Sequence, residues 1–225
     1  MGRAFLRVIS GRQCGNHSET KLGPALVAAL RSWKALLNVA RRRTLRPPEN
    51  DDTEWVIFTD GYTPDQRKGE SGCSMIGGVL FAADGSVAPR YFSEVVPPAL
   101  IADWQRRSTQ IYMIEILAVV MAWRTWGHLL FERRVLVFVD SESAEGALTK
   151  GYSSKEDACM IVSDFWVAVA RDRALVYLDR VPTDANPADD PSRPGKCRGL
   201  EAHGWVRDRS AIWPWSSKVY SGLGL

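Results

Sequence analysis

The stretch Trp55-Val56-Ile57-Phe58-Thr59-Asp60-Gly61 runs from four apolar residues and a β-branched threonine straight into a carboxylate and a glycine. An apolar run of this length bounded by a turn former reads as a buried strand. Val135-Leu136-Val137-Phe138-Val139-Asp140 repeats the pattern eighty residues later, again ending on an aspartate. Between them, Glu115 interrupts the apolar segment Ile111 to Trp123, and Asp189 follows in the Pro-rich loop Asn186-Pro187-Ala188-Asp189-Asp190-Pro191-Ser192-Arg193. Strand end, helix, strand end and loop therefore each present one acid.

The strands and helices around these acids set the fold class. Cys73 to Phe81 and Arg90 to Val96 read as two more strands after the first, with Ala83-Asp84-Gly85-Ser86 as the turn between them. These three are expected to form an antiparallel meander. A long helix is expected over Ser108 to Leu129, a strand over Arg134 to Asp140, helices over Ser143 to Lys150 and Lys155 to Asp172, and a last strand over Ala174 to Val181. The order βββαβααβ excludes an all-parallel doubly wound sheet and predicts a mixed α/β fold, with a five-stranded sheet flanked by helices.

At 225 residues and 45% hydrophobic content, the chain can bury one sizeable core. Three regions are expected: a basic helical extension and linker over 1–53, a main domain over 54–195 and a Trp-rich tail over 196–225. In the extension, Pro24 suits a first helical turn, and Leu26, Leu30, Trp33 and Leu37 recur at helical spacing within a helix over 23–43. Leu45 to Asp52 reads as the linker. The net charge of +3 conceals an asymmetry. Residues 1–48 hold ten Lys and Arg against one acid, Glu19, a net +9, whereas the remainder holds nineteen against twenty-five, a net −6. Arg41, Arg42 and Arg43 are thus candidate phosphate contacts, or the solvated end of a helix. In the tail, Trp205, Trp213 and Trp215 stand near Arg207, Arg209 and Lys218, and read as packing against the domain, with base stacking as the other use.

Several chemistries are disfavoured. Cys14, Cys73, Cys159 and Cys197 form no C-x-x-C pair, so reduced thiols are expected. Cys14-Gly-Asn-His17 has half of a zinc-ligand spacing without a second pair. There is no acyl-transfer elbow and no phosphate-binding glycine fingerprint. No apolar run is long enough to cross a bilayer and no signal-peptide core is present, so a chain without a membrane partner, intracellular in the cytoplasm or nucleus and not secreted, is expected.

An ionised carboxylate in apolar surroundings costs several kcal/mol unless a cation or hydrogen bonds compensate. Asp60, Glu115, Asp140 and Asp189 each have a plainer reading alone: strand closure, a helix margin, a helix N-cap or a turn. Together they can converge where adjacent strand ends meet a crossing helix. Hard oxygen ligands there suit Mg²⁺ or Mn²⁺, and two such ions can activate water and stabilise the leaving oxygen of a phosphodiester.

Thr59-Asp60-Gly61, Ile114-Glu115-Ile116-Leu117-Ala118, Phe138-Val139-Asp140-Ser141 and Asn186 to Arg193 resemble, in that order, the acidic motifs of the ribonuclease H domain of reverse-transcribing retroelements such as retrotransposons. The resemblance covers about residues 54–195. It implies a ribonuclease H-like fold that cleaves the RNA strand of RNA:DNA hybrids with two Mg²⁺ ions, Mn²⁺ being a possible substitute. Asp60, Glu115, Asp140 and Asp189 would be both catalytic residues and metal ligands, with Asp190 as the alternative to Asp189. Thr109, Gln110, Ser141 and Ser143 are expected near the hybrid. Residues 1–46 look weakly like the end of a reverse transcriptase polymerase region, which makes that domain an expected partner within a larger polyprotein. One departure is the lack of a His between Val181 and Ala188, where many relatives carry one. The competing readings are a catalytically silent domain of the same fold that binds nucleic acid or organises an assembly, and another nuclease of the wider superfamily.

Overall fold

The computed structural model describes residues 23–39, 54–65 and 69–210, together with Leu6 and Ile9. Arg41, Arg42, Arg43, Cys14, His17, Trp213 and Trp215 lie outside the described residues. The elements are helix α1 (Pro24–Val39), strands β1 (Trp55–Tyr62), β2 (Met75–Ala82) and β3 (Arg90–Val95), helices α2 (Pro98–Ala102) and α3 (Ile111–Trp126), strand β4 (Arg134–Val139), helices α4 (Glu142–Lys150) and α5 (Glu156–Arg171), strand β5 (Leu175–Arg180), the short helix α6 (Asp189–Ser192) and strand β6 (Val206–Arg207).

The strands form one sheet in the order β5-β4-β1-β2-β3-β6. β1, β2 and β3 make the expected antiparallel meander, while β4 pairs with β1, and β5 with β4, in parallel. The mixed α/β class is therefore as expected. The strand count is corrected from five to six, because β6 pairs in parallel with β3 from within the Trp-rich tail. Two residues are too short a strand to leave a periodic signal, so pattern reading could not find it.

The first strand corrects a second expectation. Gly61 does not turn the chain after Asp60 but continues β1, paired with Ile76. Its lack of a side chain serves packing: a Cβ there would lie 2.9 Å from the Glu115 nitrogen and 2.9 Å from Ile114 Cγ2. α3 thus crosses β1 at backbone distance. Residues 113 to 123 of α3 are all buried, between the sheet on one side and α5 on the other. An all-round apolar helix is stable only when enclosed in this way. Trp123 stacks edge-on against Phe165, and its indole N–H donates to Asp172 at 2.9 Å.

α1 packs on α5 through Ala29 and Leu36, against Cys159 and Ala170. The expected stripe is only partly buried. Leu26 is inside, whereas Leu30 and Leu37 are exposed at 43% and 66%. Apolar residues wrap much of this helix, so spacing alone could not choose between two overlapping faces.

The opposite face of the sheet is covered by Tyr91, Val79 and Ala188, with Phe58, Phe81 and Trp205 around them. Trp205 meets Phe81 edge-on with ring centroids 5.5 Å apart, so this tryptophan packs as expected. The segment is then fastened by Asp208, which accepts from Arg90 Nε at 2.7 Å, Arg90 Nη2 at 2.6 Å and Trp126 Nε1 at 2.7 Å. Burial favours the neutral acid, but the bonds from Arg90 and Trp126 outweigh it and hold Asp208 below the ordinary carboxylate range. A depressed folded-state pKa contributes stability that is present above the unfolded value and lost as pH falls through the folded one. Asp208→Asn is accordingly expected to lose about 1–3 kcal/mol in urea denaturation at pH 7. The gap to wild type should narrow in acid, and an undiminished gap at pH 3 would contradict this role.

Candidate metal centre

The parallel register pairs Thr59 with Val139, so Asp60, still within β1, and Asp140, which follows β4, lie side by side where that pairing stops. α3 brings Glu115 to the same point through its contact with Gly61, whose N–H donates to the Glu115 carboxylate. One ligand oxygen from each of Asp60, Glu115 and Asp140 lies within 4.8 Å of the others. Three of the four expected acids therefore converge from two neighbouring strands and one helix.

The electrostatics fit a cation. Asp60 is 4% exposed and Glu115 5%. Burial chiefly, and then the charges of Asp140 and Asp189, push Asp60 up to about 7, although the hydroxyl of Ser192 and the charge of Arg193 oppose the rise. Glu115 is raised well above the ordinary range by burial, with Asp60 and Asp140 adding to it. Glu115 Oε2 is buried without a hydrogen-bond partner among the described residues. A buried carboxylate oxygen left unpaired costs about 1–3 kcal/mol or more, and a divalent ion is the group that would remove that cost. An all-oxygen donor set suits Mg²⁺ or Mn²⁺.

Asp189 is placed differently. It opens α6 near enough to act on Asp60, but its carboxylate is held by cations. Arg193 contacts Oδ1 at 2.6 Å through Nε and at 2.5 Å through Nη2, and Lys196 Nζ lies 3.1 Å from Oδ2. Burial would raise Asp189, yet these bonds hold it below the usual range. Asp190 is exposed.

Residues not singled out from sequence build the support. Asn186 is buried and donates to the Thr59 carbonyl at 3.0 Å while its Oδ1 accepts from the Ala188 N–H at 3.1 Å, which ties the loop to β1. Ser192, fully buried, donates its hydroxyl to Asp60. α6 can lie across β2 only because residue 77 is glycine: a Cβ there would be 2.3 Å from the Ser192 nitrogen. Gly77 stands opposite Asp60 in the β1–β2 register. The sequence carried one weak signal for this, a glycine pair inside a strand, which often marks a close backbone approach.

Of the expected hybrid contacts, Ser141 caps α4 by accepting from the Ala144 N–H at 3.3 Å, and lies 3.2 Å from the Ser143 hydroxyl. Ser143 lines a groove of about 850 Å³ with Tyr112, Lys150 and Lys155. Thr109 and Gln110 line another, of about 1050 Å³. The Gln110 amide is engaged by Arg107 and the Gln105 carbonyl, so it braces its own loop.

These features define a mixed α/β chain with a buried acidic centre at its parallel strand ends. No family model matches the sequence, and comparison with curated proteins finds no match. Among solved structures, the chain is similar to a ribonuclease H1 from the halophilic archaeon Halobacterium salinarum, with a TM-score of 0.42 and 20% identity, over 60% of this chain and 89% of that one. A ribonuclease H1 isolated from compost by a metagenomic approach gives 0.46 and 17%, over 66% and 99%. The same compost enzyme in complex with an RNA/DNA hybrid gives 0.41 and 19%, over 65% and 99%. With TM-scores below 0.5, function is left to be read from the chain's own residues.

A group whose folded pKa is raised stabilises the fold below its unfolded value and loses that contribution as pH rises through the folded one. For Asp60 that window runs from about 4, the ordinary aspartate value, to about 7. The metal-free protein is therefore expected to melt at progressively lower temperature as pH rises from 5 to 8, with Mg²⁺ restoring most at the alkaline end. Calorimetry with EDTA and with Mg²⁺ checks this; a melting temperature indifferent to both would contradict it. Gly77→Ala is expected to cost about 1–3 kcal/mol by forcing α6 off the sheet. Urea denaturation measures that loss, and an unchanged midpoint would refute the packing argument.

Proposed function

We propose that this chain is a metal-dependent endonuclease that hydrolyses the RNA strand of RNA:DNA hybrids. The observation that carries the reading is the convergence of Asp60, Glu115 and Asp140 around a buried carboxylate oxygen with no partner among the described residues. A structural ion pair would put a cationic side chain against that oxygen. Here the groups that act most strongly on Glu115 are two further acids and one backbone N–H.

Asp60, Glu115 and Asp140 would hold the first divalent ion, and Asp189 with Asp60 would complete a second position. Bound Mg²⁺ supplies an activated water and stabilises the leaving oxygen of the phosphodiester. The chain's own side chains do the positioning. Ser192 fixes the rotamer of Asp60, Asn186 fixes the loop bearing Asp189, and the Gly61 N–H orients Glu115. No protein nucleophile is required. With no His between Val181 and Ala188, proton transfer to the leaving group falls to solvent.

The two grooves suit a backbone-reading ligand. Lys150 and Lys155 offer charge to phosphates, while Tyr112 and the serines offer shape and hydroxyl contacts. Residues 54–195 would carry the activity. The string Asn186 to Arg193 and the basic extension support placing the chain within a retroelement reverse transcriptase, beside a polymerase domain. Among the described residues no helix is long and apolar enough to cross a membrane.

Asp140→Asn is the sharpest test, because Asp140 follows β4 at the sheet end, partly exposed, and its replacement removes a ligand with little disturbance of packing. Cleavage of a labelled RNA:DNA hybrid with Mg²⁺ or Mn²⁺ is expected to fall at least about a hundredfold, or about 3 kcal/mol in the barrier, with the melting curve nearly unchanged. Near-normal turnover in that variant would sink the site assignment. Hybrid binding by wild type without cleavage under either ion would instead favour a silent binding module.

A further inference from the structure

The fourth acid is the one carboxylate of the centre already neutralised by the chain itself. Arg193 takes Asp189 Oδ1 through two nitrogens and Lys196 takes Oδ2, so both oxygens are engaged by cations. Among the described residues no cation is hydrogen-bonded to Asp60 or Glu115: Asp60 receives the Ser192 hydroxyl and Glu115 the Gly61 N–H. Arg193 is also held in place from its other side, its guanidinium carbon 5.7 Å from the centroid of the Tyr62 ring, and its charge acts on Asp60 as well as on Asp189. A cationic group paired with Asp189, whose charge also reaches Asp60, competes for the carboxylate that a second divalent ion would need.

We propose that Arg193 is a positioning residue that holds Asp189 in reserve, so that the chain takes one divalent ion at Asp60, Glu115 and Asp140 and admits a second only by displacing Arg193 from Asp189. This rests on the metal reading of the triad. The two positions then differ in kind. The first ion meets acids held by a hydroxyl and a backbone N–H, whereas the second must break a charge-assisted pair in which two guanidinium nitrogens share Asp189 Oδ1. Lys196, half exposed, adds a weaker hold that solvent screens. The pair keeps the loop ordered while the second position waits, and makes the two binding steps unequal.

Mn²⁺ titration of the full chain, followed by the electron paramagnetic resonance of free Mn²⁺, tests this without reference to activity. Wild type is expected to bind one ion tightly and a second at least about tenfold more weakly, since a cation within about 4–6 Å of a carboxylate shifts its affinity for a competing proton or ion by that order or more. Arg193→Gln, which keeps a polar side chain and loses the charge, is expected to tighten the second site about tenfold and leave the first within about twofold. Arg193→Lys, which keeps the charge, should retain the wild-type asymmetry, and Asp189→Asn should remove the second site in each background. Two equal sites in wild type, or a second site unchanged or weakened in Arg193→Gln, would overturn the proposal. Should Arg193→Gln melt well below wild type, the exposed Lys196→Gln serves instead: a smaller tightening supports the proposal and none overturns it. An Asp60→Asn variant that keeps the first site would show that the triad is not the metal centre, a failure of the underlying reading recognisable as such.

Discussion

The approach of α3 to β1 at Gly61 is the constraint on which the rest of the molecule depends. It places a helix backbone within reach of a strand, buries Glu115 beside Asp60, and leaves one carboxylate oxygen unpaired among the described residues. Such an arrangement would be avoided if packing were its only purpose. An apolar residue at 115 would fill the same space without the cost of desolvating a charge. That cost is tolerable because the surrounding core is large: α3 is enclosed along most of its length, and the sheet supplies a second buried face. Stability generated far from the centre holds an unfavourable charge cluster in place, as expected where strain is kept at a functional site.

Two acids at one site can have opposite electrostatic fates when their neighbours differ. Asp60 and Glu115 are pushed toward the neutral form by burial, with Asp140 and Asp189 adding to it for Asp60, and Asp60 and Asp140 for Glu115. Asp189, at the start of α6, is kept charged by Arg193 and Lys196. Divergent environments for like groups commonly accompany a division of roles. Here the division separates acids with no hydrogen-bonded cation among the described residues from one held by two.

Much of this was legible in the sequence because the signals were local. Strands ending in aspartate gave Asp60 and Asp140, and an acid within an apolar helix gave Glu115. What stayed hidden depended on residues distant in the chain. Ser192 reaches Asp60 across 132 positions, and Gly77 matters only because α6 crosses it. A serine after a proline and a glycine in a strand each have many ordinary explanations, and only the packed structure selects one. Gly61 shows the reverse error, since a residue fit for a turn was used for a close approach. Along α1, the stripe containing Leu30 and Leu37 lost to the one containing Ala29 and Leu36, because the small residues of α5 accept a close helix and spacing carries no information about the partner's surface.

The charge of the centre also bears on what it can bind. Three converging carboxylates repel a phosphate backbone, so on the proposed reading the cation serves attraction as well as chemistry, and metal uptake and substrate uptake favour each other. Arg193 modifies that linkage. While it is paired with Asp189 its positive charge is spent locally and does little for an incoming phosphate. On the proposed reading, an Arg193 displaced from Asp189 would be free to meet a phosphate, next to Ser192 and near the Tyr62 ring. Arrival of the second ion would then convert an internal salt bridge into a free guanidinium at the phosphate, the geometry for which arginine is best suited. The acid that seemed least like its three companions would thereby link the occupancy of the metal centre to its grip on the nucleic acid.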